Sequence, residues 1–338
     1  MGQSRNSASL MVTSPPYPMI EMWDRVFSNL DPRISDALNS GQGDTAFDLM
    51  HAELDKVWSQ VYNILEPGGI ACINVGDATR KIDDSFKLYS NHSRILSYCA
   101  RLGFHVLPEI LWRKQSNKPT KFMGSGMLPP GAYVTQEHEY VLILRKGERR
   151  QFVTDREKSN RMKSAFFWEE RNSWFSDVWE DLKGDRQALN QIGLRERSAA
   201  FPFDLAYRLV SMFSVMGDSV LDPFVGTGTT ALAAMALGRN SNGYEISPEF
   251  KQPIESRIGE IVNVANDYNR NRIAKHLEFA RNMRNRLSYA NEVHGFPVMT
   301  SQEIMLEIPI VKSVKIVEQN TFEVEYLTEP LKVGQSLF

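Results

Sequence analysis

Residues 219–245 constrain the fold of this chain more than any other stretch. A short apolar run at 219–222 ends in Asp222 and continues as Pro223-Phe224-Val225-Gly226-Thr227-Gly228-Thr229-Thr230. An alanine-rich helical pattern follows over 229–237, then a second strand pattern over 241–245. A strand that turns on two glycines into a helix brings the free N–H groups of the helix N-terminus up to a ligand, and glycine lets the backbone approach closely. Glu245, at the end of the second strand, can accept hydrogen bonds from both ribose hydroxyls of a nucleoside. No lysine follows Gly228, so the Gly-x-x-x-x-Gly-Lys-Ser/Thr pattern is absent and a nucleoside triphosphate is disfavoured.

The surrounding patterns alternate in the same way. Residues 9–13 form a short apolar run that stops at Pro15-Pro16, a buried strand carrying Ser14 at its C-terminal end. Phe47, Met50, Leu54, Val57, Trp58, Val61 and Leu65 recur at helical spacing over 46–65, and Pro67-Gly68-Gly69 ends the pattern. Residues 70–75 are β-branched and apolar, 90–102 suggest a helix stopped by Gly103, and 104–112 and 139–145 both suggest strands. Helices alternating with buried strands imply a mostly parallel sheet covered on both faces. The pattern breaks from 148 to 196, a charged stretch containing Phe166, Phe167, Trp168, Trp174, Phe175 and Trp179. It suggests an inserted module or a long ordered loop. Residues 203–216 return to helical spacing, 248–286 suggest one long or two shorter helices, and 308–333 a hairpin or small sheet.

Composition narrows the class. The 338 residues are 24% charged and 42% hydrophobic, an ordinary globular balance. No apolar run approaches the ~18 residues of a membrane span, and no signal-peptide core is visible at the N-terminus, which argues against a membrane or exported protein. The two cysteines, Cys72 and Cys99, lie in apolar segments, so neither a disulfide framework nor a metal centre is expected. The net charge of −2 does not favour nucleic acid. Its distribution matters more. Arg113, Lys114, Lys118 and Lys121 cluster without an acid, and 145–163 include Arg149, Arg150, Arg161 and Lys163. Residues 270–286 carry Arg270, Arg272, Lys275, Arg281, Arg284 and Arg286. Solvated helix faces explain any one cluster; three of them point to a phosphate-tracking surface.

Alone, Ser14-Pro15-Pro16-Tyr17 would be only a turn. Beside the glycine loop it takes on chemistry. Thr13-Ser14-Pro15-Pro16-Tyr17 resembles the base-binding tetrapeptide of amino-directed DNA methyltransferases, and residues 221–230 resemble their S-adenosylmethionine loop. In this order the two resemble the permuted, or beta, class of that family. The resemblance runs over about residues 9–260, including Leu65–Gly69, Ile110–Lys114, Gln136–Leu144 and Asp177-Val178-Trp179. It implies an α/β, doubly wound, mostly parallel, seven-stranded-type methyltransferase sheet, Rossmann-like, with an inserted target-recognition region and a small C-terminal extension. The expected parts are a catalytic half at 1–147, a target-recognition insertion at 148–196, a cofactor half at 197–266, and a basic helix with a β extension at 267–338.

By this resemblance the cofactor is S-adenosyl-L-methionine. Thr13, Asp222, Pro223, Phe224, Gly226, Thr227, Gly228 and Thr229 would surround its methionine side, Glu245 the ribose and Ile246 the adenine, with Phe201-Pro202 beside the loop. Ser14 Oγ and the Pro15 carbonyl would accept the two protons of an exocyclic amine, Pro15 and Pro16 would fix the backbone that aims them, and Tyr17 would offer a stacking face. The base must leave the duplex to reach such a site. Serine at the first position is commoner for N4-cytosine, and a neutral hydroxyl can accept from N4–H and also reach ring N3. N6-adenine, an RNA or protein substrate, and a non-catalytic nucleic-acid-binding subunit remain alternatives. The implied partner is double-stranded DNA, with a cognate restriction endonuclease not necessarily bound, in a monomer or homodimer in the cytoplasm of a prokaryote or a phage-infected cell. No Pro-Cys pair is present, which disfavours attack on a ring carbon. Many permuted relatives carry a strand and a Gly-Asp ahead of the tetrapeptide; none is visible here. Either the C-terminal 290–338 supply that strand or the contact is absent. Asp77 is a candidate substitute or a surface-turn carboxylate.

Overall fold

The computed structural model describes residues 4–114, 126–182, 201–283 and 286–330. Seven strands make the central sheet: β1 (Ala8–Thr13), β2 (Leu65–Val75), β3 (Phe104–Arg113), β4 (His138–Lys146), β5 (Val178–Trp179), β6 (Ser219–Asp222) and β7 (Asn240–Gly243). Their order across the sheet is β5-β3-β4-β2-β1-β6-β7. All run parallel except β4, which is antiparallel to both neighbours. Every residue of β1 is buried, because helices cover both faces of the sheet. Met11 points into one core with α1 (Asp24–Leu30), α2 (Arg33–Asn39), α3 (Gly43–Ile64) and α4 (Asn91–Leu102). Leu10 and Val12 point into the other, with α7 (Phe203–Phe213) and α8 (Thr229–Ala236). In α3, Met50, Leu54, Trp58 and Val61 form the buried stripe that the sequence spacing predicts.

The break after 148 is folded more regularly than its sequence suggests. Thr154 and Glu157 form a reciprocal capping box that opens α5 (Asp155–Lys163), and α6 (Trp168–Trp174) follows. Both helices are too short for apolar periodicity to declare itself. The chain then adds β5 to the sheet beside β3. Trp174 and Trp179 are buried in the main core, and Phe167 stacks on His276 with centroids 3.8 Å apart. Phe175 stays exposed.

Residues 248–286 resolve into a 3-10 turn, α9 (Lys251–Gly259) and α10 (Ile261–Asn282). Arg272, expected on a phosphate-facing helix, is buried instead. Its guanidinium pairs with Glu170, 2.8 Å from Nη2 to Oε2, and touches Tyr207 Oη. Arg284 lies outside the described residues. The strands of the C-terminal region, Val311–Glu318 and Thr321–Tyr326, pair with each other and not with the central sheet, so among the described residues nothing continues the sheet beyond β7. No described helix is long and apolar enough to cross a membrane.

Candidate active site

Because β1 and β6 are adjacent and parallel, their C-terminal ends emerge side by side. Thr13 Oγ1 donates to Asp222 Oδ1 at 2.6 Å, which ties the tetrapeptide strand to the glycine-loop strand across 209 positions of sequence. Thr230 Oγ1 adds a bond to the Val12 carbonyl at 3.2 Å. The two segments share one cavity of about 490 Å³. Ser14, Pro15 and Pro16 line it together with Phe201, Asp222, Pro223, Phe224, Gly226, Thr227, Thr229, Glu245 and Ile246. Trp23, Val26, Leu30 and Val57 close the opposite wall, and sequence patterns gave no sign of them because they sit in unremarkable helical positions. Thr13, Pro202 and Gly228 stand behind the lining: Thr13 holds Asp222, Pro202 starts α7, and Gly228 starts α8.

The loop turns on two left-handed glycines and is anchored by an acid. Gly226 has φ +52° and Gly228 φ +80°, a left-handed backbone that side chains resist. Glu245 lies just beyond β7, not within it. Its Oε2 accepts from Gly226 N at 2.9 Å and its Oε1 from Ser247 N at 2.8 Å. Each oxygen keeps a second lone pair for a ribose hydroxyl. Arg257, on α9, clamps the loop from below through the Thr227 carbonyl (2.8 Å) and Thr229 Oγ1 (3.0 Å), a contact no sequence motif announced. Burial, opposed by hydrogen bonds from Thr13 Oγ1 and Phe224 N, pushes the Asp222 carboxyl up to about 6. The cavity volume, the glycine turn, an anchored strand-end acid and an apolar wall fit S-adenosyl-L-methionine. Bound there, that molecule supplies an electrophilic methyl group.

Tyr17 is not the open stacking face expected of it. The residue is only 7% exposed, and its ring lies so close to Gly76 that a Cβ there would meet Cε2 at 3.2 Å. Its hydroxyl is shared among three partners: Ser14 Oγ at 3.0 Å, Glu139 Oε2 at 3.0 Å and Asn74 Nδ2 at 2.9 Å. Asn74 Nδ2 also donates to Glu139 Oε2 at 2.7 Å, and Lys114 Nζ to Glu139 Oε1 at 2.8 Å. Burial first, then the Glu139 charge, holds the Tyr17 phenol well above its usual range, so it stays protonated. Asn74 and Glu139 were legible only as parts of strands. Asp77 is neither a surface carboxylate nor a lining residue of the cavity. It is buried, and accepts from the His92 backbone N–H at 3.0 Å, with His92 Nδ1 2.8 Å away, at the start of α4.

The basic candidates are not gathered into one surface. Arg113 lies at the same sheet edge as Ser14 but is paired with Glu137 and Glu180, each at 3.2 Å, and Lys114 is committed to Glu139. Lys118 and Lys121 fall outside the described residues. Strand β4 carries the chain back to the opposite edge, where Arg149, Arg150 and Arg161 line a separate cavity of about 1210 Å³ beside Ser9 and Gly68. Arg150 is tied there to Asp218 at 2.8 Å, and Lys163 pairs with Glu307 at 2.9 Å. At the Ser14 edge the described part of the β3–β4 connection instead exposes Met127, Leu128, Tyr133 and Val134.

A doubly wound sheet that brings a glycine-turn loop and a Ser-Pro-Pro-Tyr turn to one cavity on one rim is the architecture of an S-adenosylmethionine-dependent methyltransferase. Residues 8–256 match the N6/N4 methyltransferase model described as DNA methylase, and the chain belongs to that family. It is 53% identical to the Type II methyltransferase M.MthZI of Methanothermobacter thermautotrophicus, over 98% of this chain and 93% of that one. It is 50% identical to the Type II methyltransferase M.MjaI of Methanocaldococcus jannaschii, over 75% and 86%. Among solved structures, a Thermus thermophilus protein described as a DNA modification methylase, complexed with S-adenosyl-L-methionine, is 32% identical with a TM-score of 0.59, covering 77% of this chain and 88% of that one. The cytosine-N4-specific PvuII DNA methyltransferase shares the fold, at 19% identity and TM-score 0.50, over 78% and 86%. The protein is thus a DNA methyltransferase whose cofactor is S-adenosyl-L-methionine.

Proposed function

We propose that the protein transfers a methyl group to the exocyclic N4 amine of a cytosine flipped out of a specific duplex sequence, as the modification half of a restriction-modification system. The observation that carries this is the Thr13–Asp222 hydrogen bond, which holds the tetrapeptide and the cofactor loop on one cavity. An exocyclic amine is a poor nucleophile because its lone pair is delocalised into the ring. Accepting both its protons, on Ser14 Oγ and the Pro15 carbonyl, returns that pair to nitrogen. Pro15 and Pro16 keep the carbonyls from wagging. S-adenosyl-L-methionine held there would supply the methyl group, its sulfur keeping the pair of the broken bond, and the methylated amine would lose its extra proton to solvent outside the cavity. Holding both reactants on one rim supplies proximity, and the apolar wall excludes water. By the family resemblance, serine at position 14 is commoner for cytosine than for adenine, and the Type II naming of the 53% and 50% identical relatives favours a restriction-modification setting. DNA would approach the Ser14 edge, with Met127, Leu128, Tyr133 and Val134 towards the opened duplex. The test is tritium transfer from labelled S-adenosyl-L-methionine to unmodified genomic duplex DNA, followed by nucleoside analysis. Label in N4-methylcytosine is expected. Label in N6-methyladenine would overturn the cytosine reading, and no label in any DNA would sink the whole proposal.

A further inference from the structure

We infer that Glu139 is a positioning residue that acts through Tyr17 to make the Ser14 hydroxyl a pure hydrogen-bond acceptor for the target amine. The inference rests on the proposed amine chemistry of Ser14 and deepens it. It follows from counting protons in the cluster. A carboxylate only accepts, and an amide Nδ2 only donates. Tyr17 has one hydroxyl proton, and at 3.0 Å it goes to Glu139 Oε2. Asn74 Nδ2 spends its two protons on Tyr17 Oη and on Glu139 Oε2. The reverse amide orientation would set Oδ1 against the carboxylate, so Nδ2 faces it even though Oδ1 is left without a partner among the described residues. The 3.0 Å contact between Ser14 Oγ and Tyr17 Oη is geometrically open to either donor. With the Tyr17 proton already committed, Ser14 must be the donor.

Ser14 Oγ therefore turns its lone pairs, and no proton, to the cavity it lines. That is the polarity an amine N–H requires. It also leaves Ser14 no proton for a ring nitrogen, in contrast to the expectation from sequence, so the device serves a cytosine or an adenine amine equally. Lys114 Nζ occupies the other oxygen of Glu139 at 2.8 Å, and a carboxylate with donors on both sides cannot turn away from Tyr17. The buried phenol stays protonated across any assay pH, which keeps the arrangement intact.

A glutamine at 139 breaks this logic. With its carbonyl towards Tyr17 and Asn74, its NH₂ meets the Lys114 ammonium, donor against donor. Turned round, its NH₂ donates to Tyr17 Oη, and the freed phenolic proton goes to Ser14. The test is a double-mutant cycle on kcat with Glu139→Gln and Tyr17→Phe, using tritium transfer to unmodified genomic duplex DNA, and with donor binding measured separately by titration. Each single variant is expected to lower kcat by about 10- to 100-fold, the scale of one lost hydrogen bond to a charged group, with donor affinity kept. The double variant should fall no further than the worse single, because Glu139 acts only through the Tyr17 hydroxyl. Removing the opposed cation should let the glutamine carbonyl settle towards Tyr17, so E139Q/K114M should regain roughly tenfold over E139Q. Multiplicative losses in the cycle, full kcat in E139Q, or no regain in E139Q/K114M would overturn the inference while leaving amine methylation standing. Equal loss of donor affinity in E139Q would mark Glu139 as merely structural and would also overturn it. If the wild type methylates no amine, the inference falls together with the proposed function.

Discussion

Asp222 sits where the two halves of the site join, and its environment makes a quantitative prediction. The residue is 5% exposed, and burial raises its carboxyl from 3.8 to about 6. A shift of about two units corresponds to roughly 3 kcal/mol at ~1.4 kcal/mol per unit. A carboxyl whose folded pKa lies above its unfolded value binds its proton more tightly when folded. Its contribution therefore favours folding at low pH, declines as pH rises from 3.8 to about 6, and is level above that. Asp222→Asn keeps the shape and the acceptor for Thr13 Oγ1 but cannot ionise. Urea unfolding of both proteins without donor, from about pH 4.5 to 7.5, should show wild type losing about 2 kcal/mol relative to D222N across that window, the rest of the effect falling below about pH 4.5. Donor binding should run the other way. S-adenosyl-L-methionine carries a sulfonium and an ammonium against one carboxylate, so its net positive charge favours ionised Asp222. Wild-type affinity should rise with pH through about 6 and then level, while D222N binds weakly at every pH. A stability difference that stays flat within about 0.5 kcal/mol over this range would refute the argument that burial governs this carboxyl.

Three further outcomes follow from the same geometry. Arg257→Met removes the clamp on the Thr227 carbonyl and Thr229 Oγ1 and should weaken donor binding about 10- to 100-fold with the circular dichroism spectrum unchanged, as measured by titration calorimetry. Ile246 is 76% exposed yet lines the cavity, so Ile246→Ala should cost up to about 1–2 kcal/mol of donor affinity but under about 0.5 kcal/mol of stability without donor. Val134→Asp should weaken duplex DNA binding in a gel-shift assay, whereas Arg149→Ala with Arg161→Ala, on the far edge, should leave it unaltered; the opposite pattern would move the DNA to that edge.

Much of the fold was legible because its signals are local. The strand–glycine loop–helix unit at 219–236 and the helix over 43–64 follow from apolar spacing and from glycines with positive φ. The helices of the segment after 148 were not legible, although Trp174 and Trp179 do pack it onto the sheet as its aromatic content suggests. Its helices are short, and the residues its tryptophans pack on, among them Arg208 and Arg272, are distant in sequence. That the loop from Asp222 to Thr229 and Glu245 would face one cavity was likewise foreseeable, but that Trp23 and Val57 line the same cavity, or that Arg257 holds the loop, was not, since nothing in their neighbourhood distinguishes them from ordinary helix residues.

What the sequence determined by itself is the set of chemical groups and the order in which the chain presents them. Ser14-Pro15-Pro16 and the glycine loop declare themselves because turn geometry and backbone approach demand particular residues at neighbouring positions. The tertiary structure alone decided direction and pairing. It ran β4 antiparallel, and so carried Arg149, Arg150 and Arg161 to the edge away from Ser14. It also brought Asn74, Lys114 and Glu139 to Tyr17 from three different strands or their ends. Hydrogen-bond polarity is a property of the whole cluster, since each proton can be spent only once. No reading of residues in sequence order could assign the Ser14 proton before its neighbours were in place.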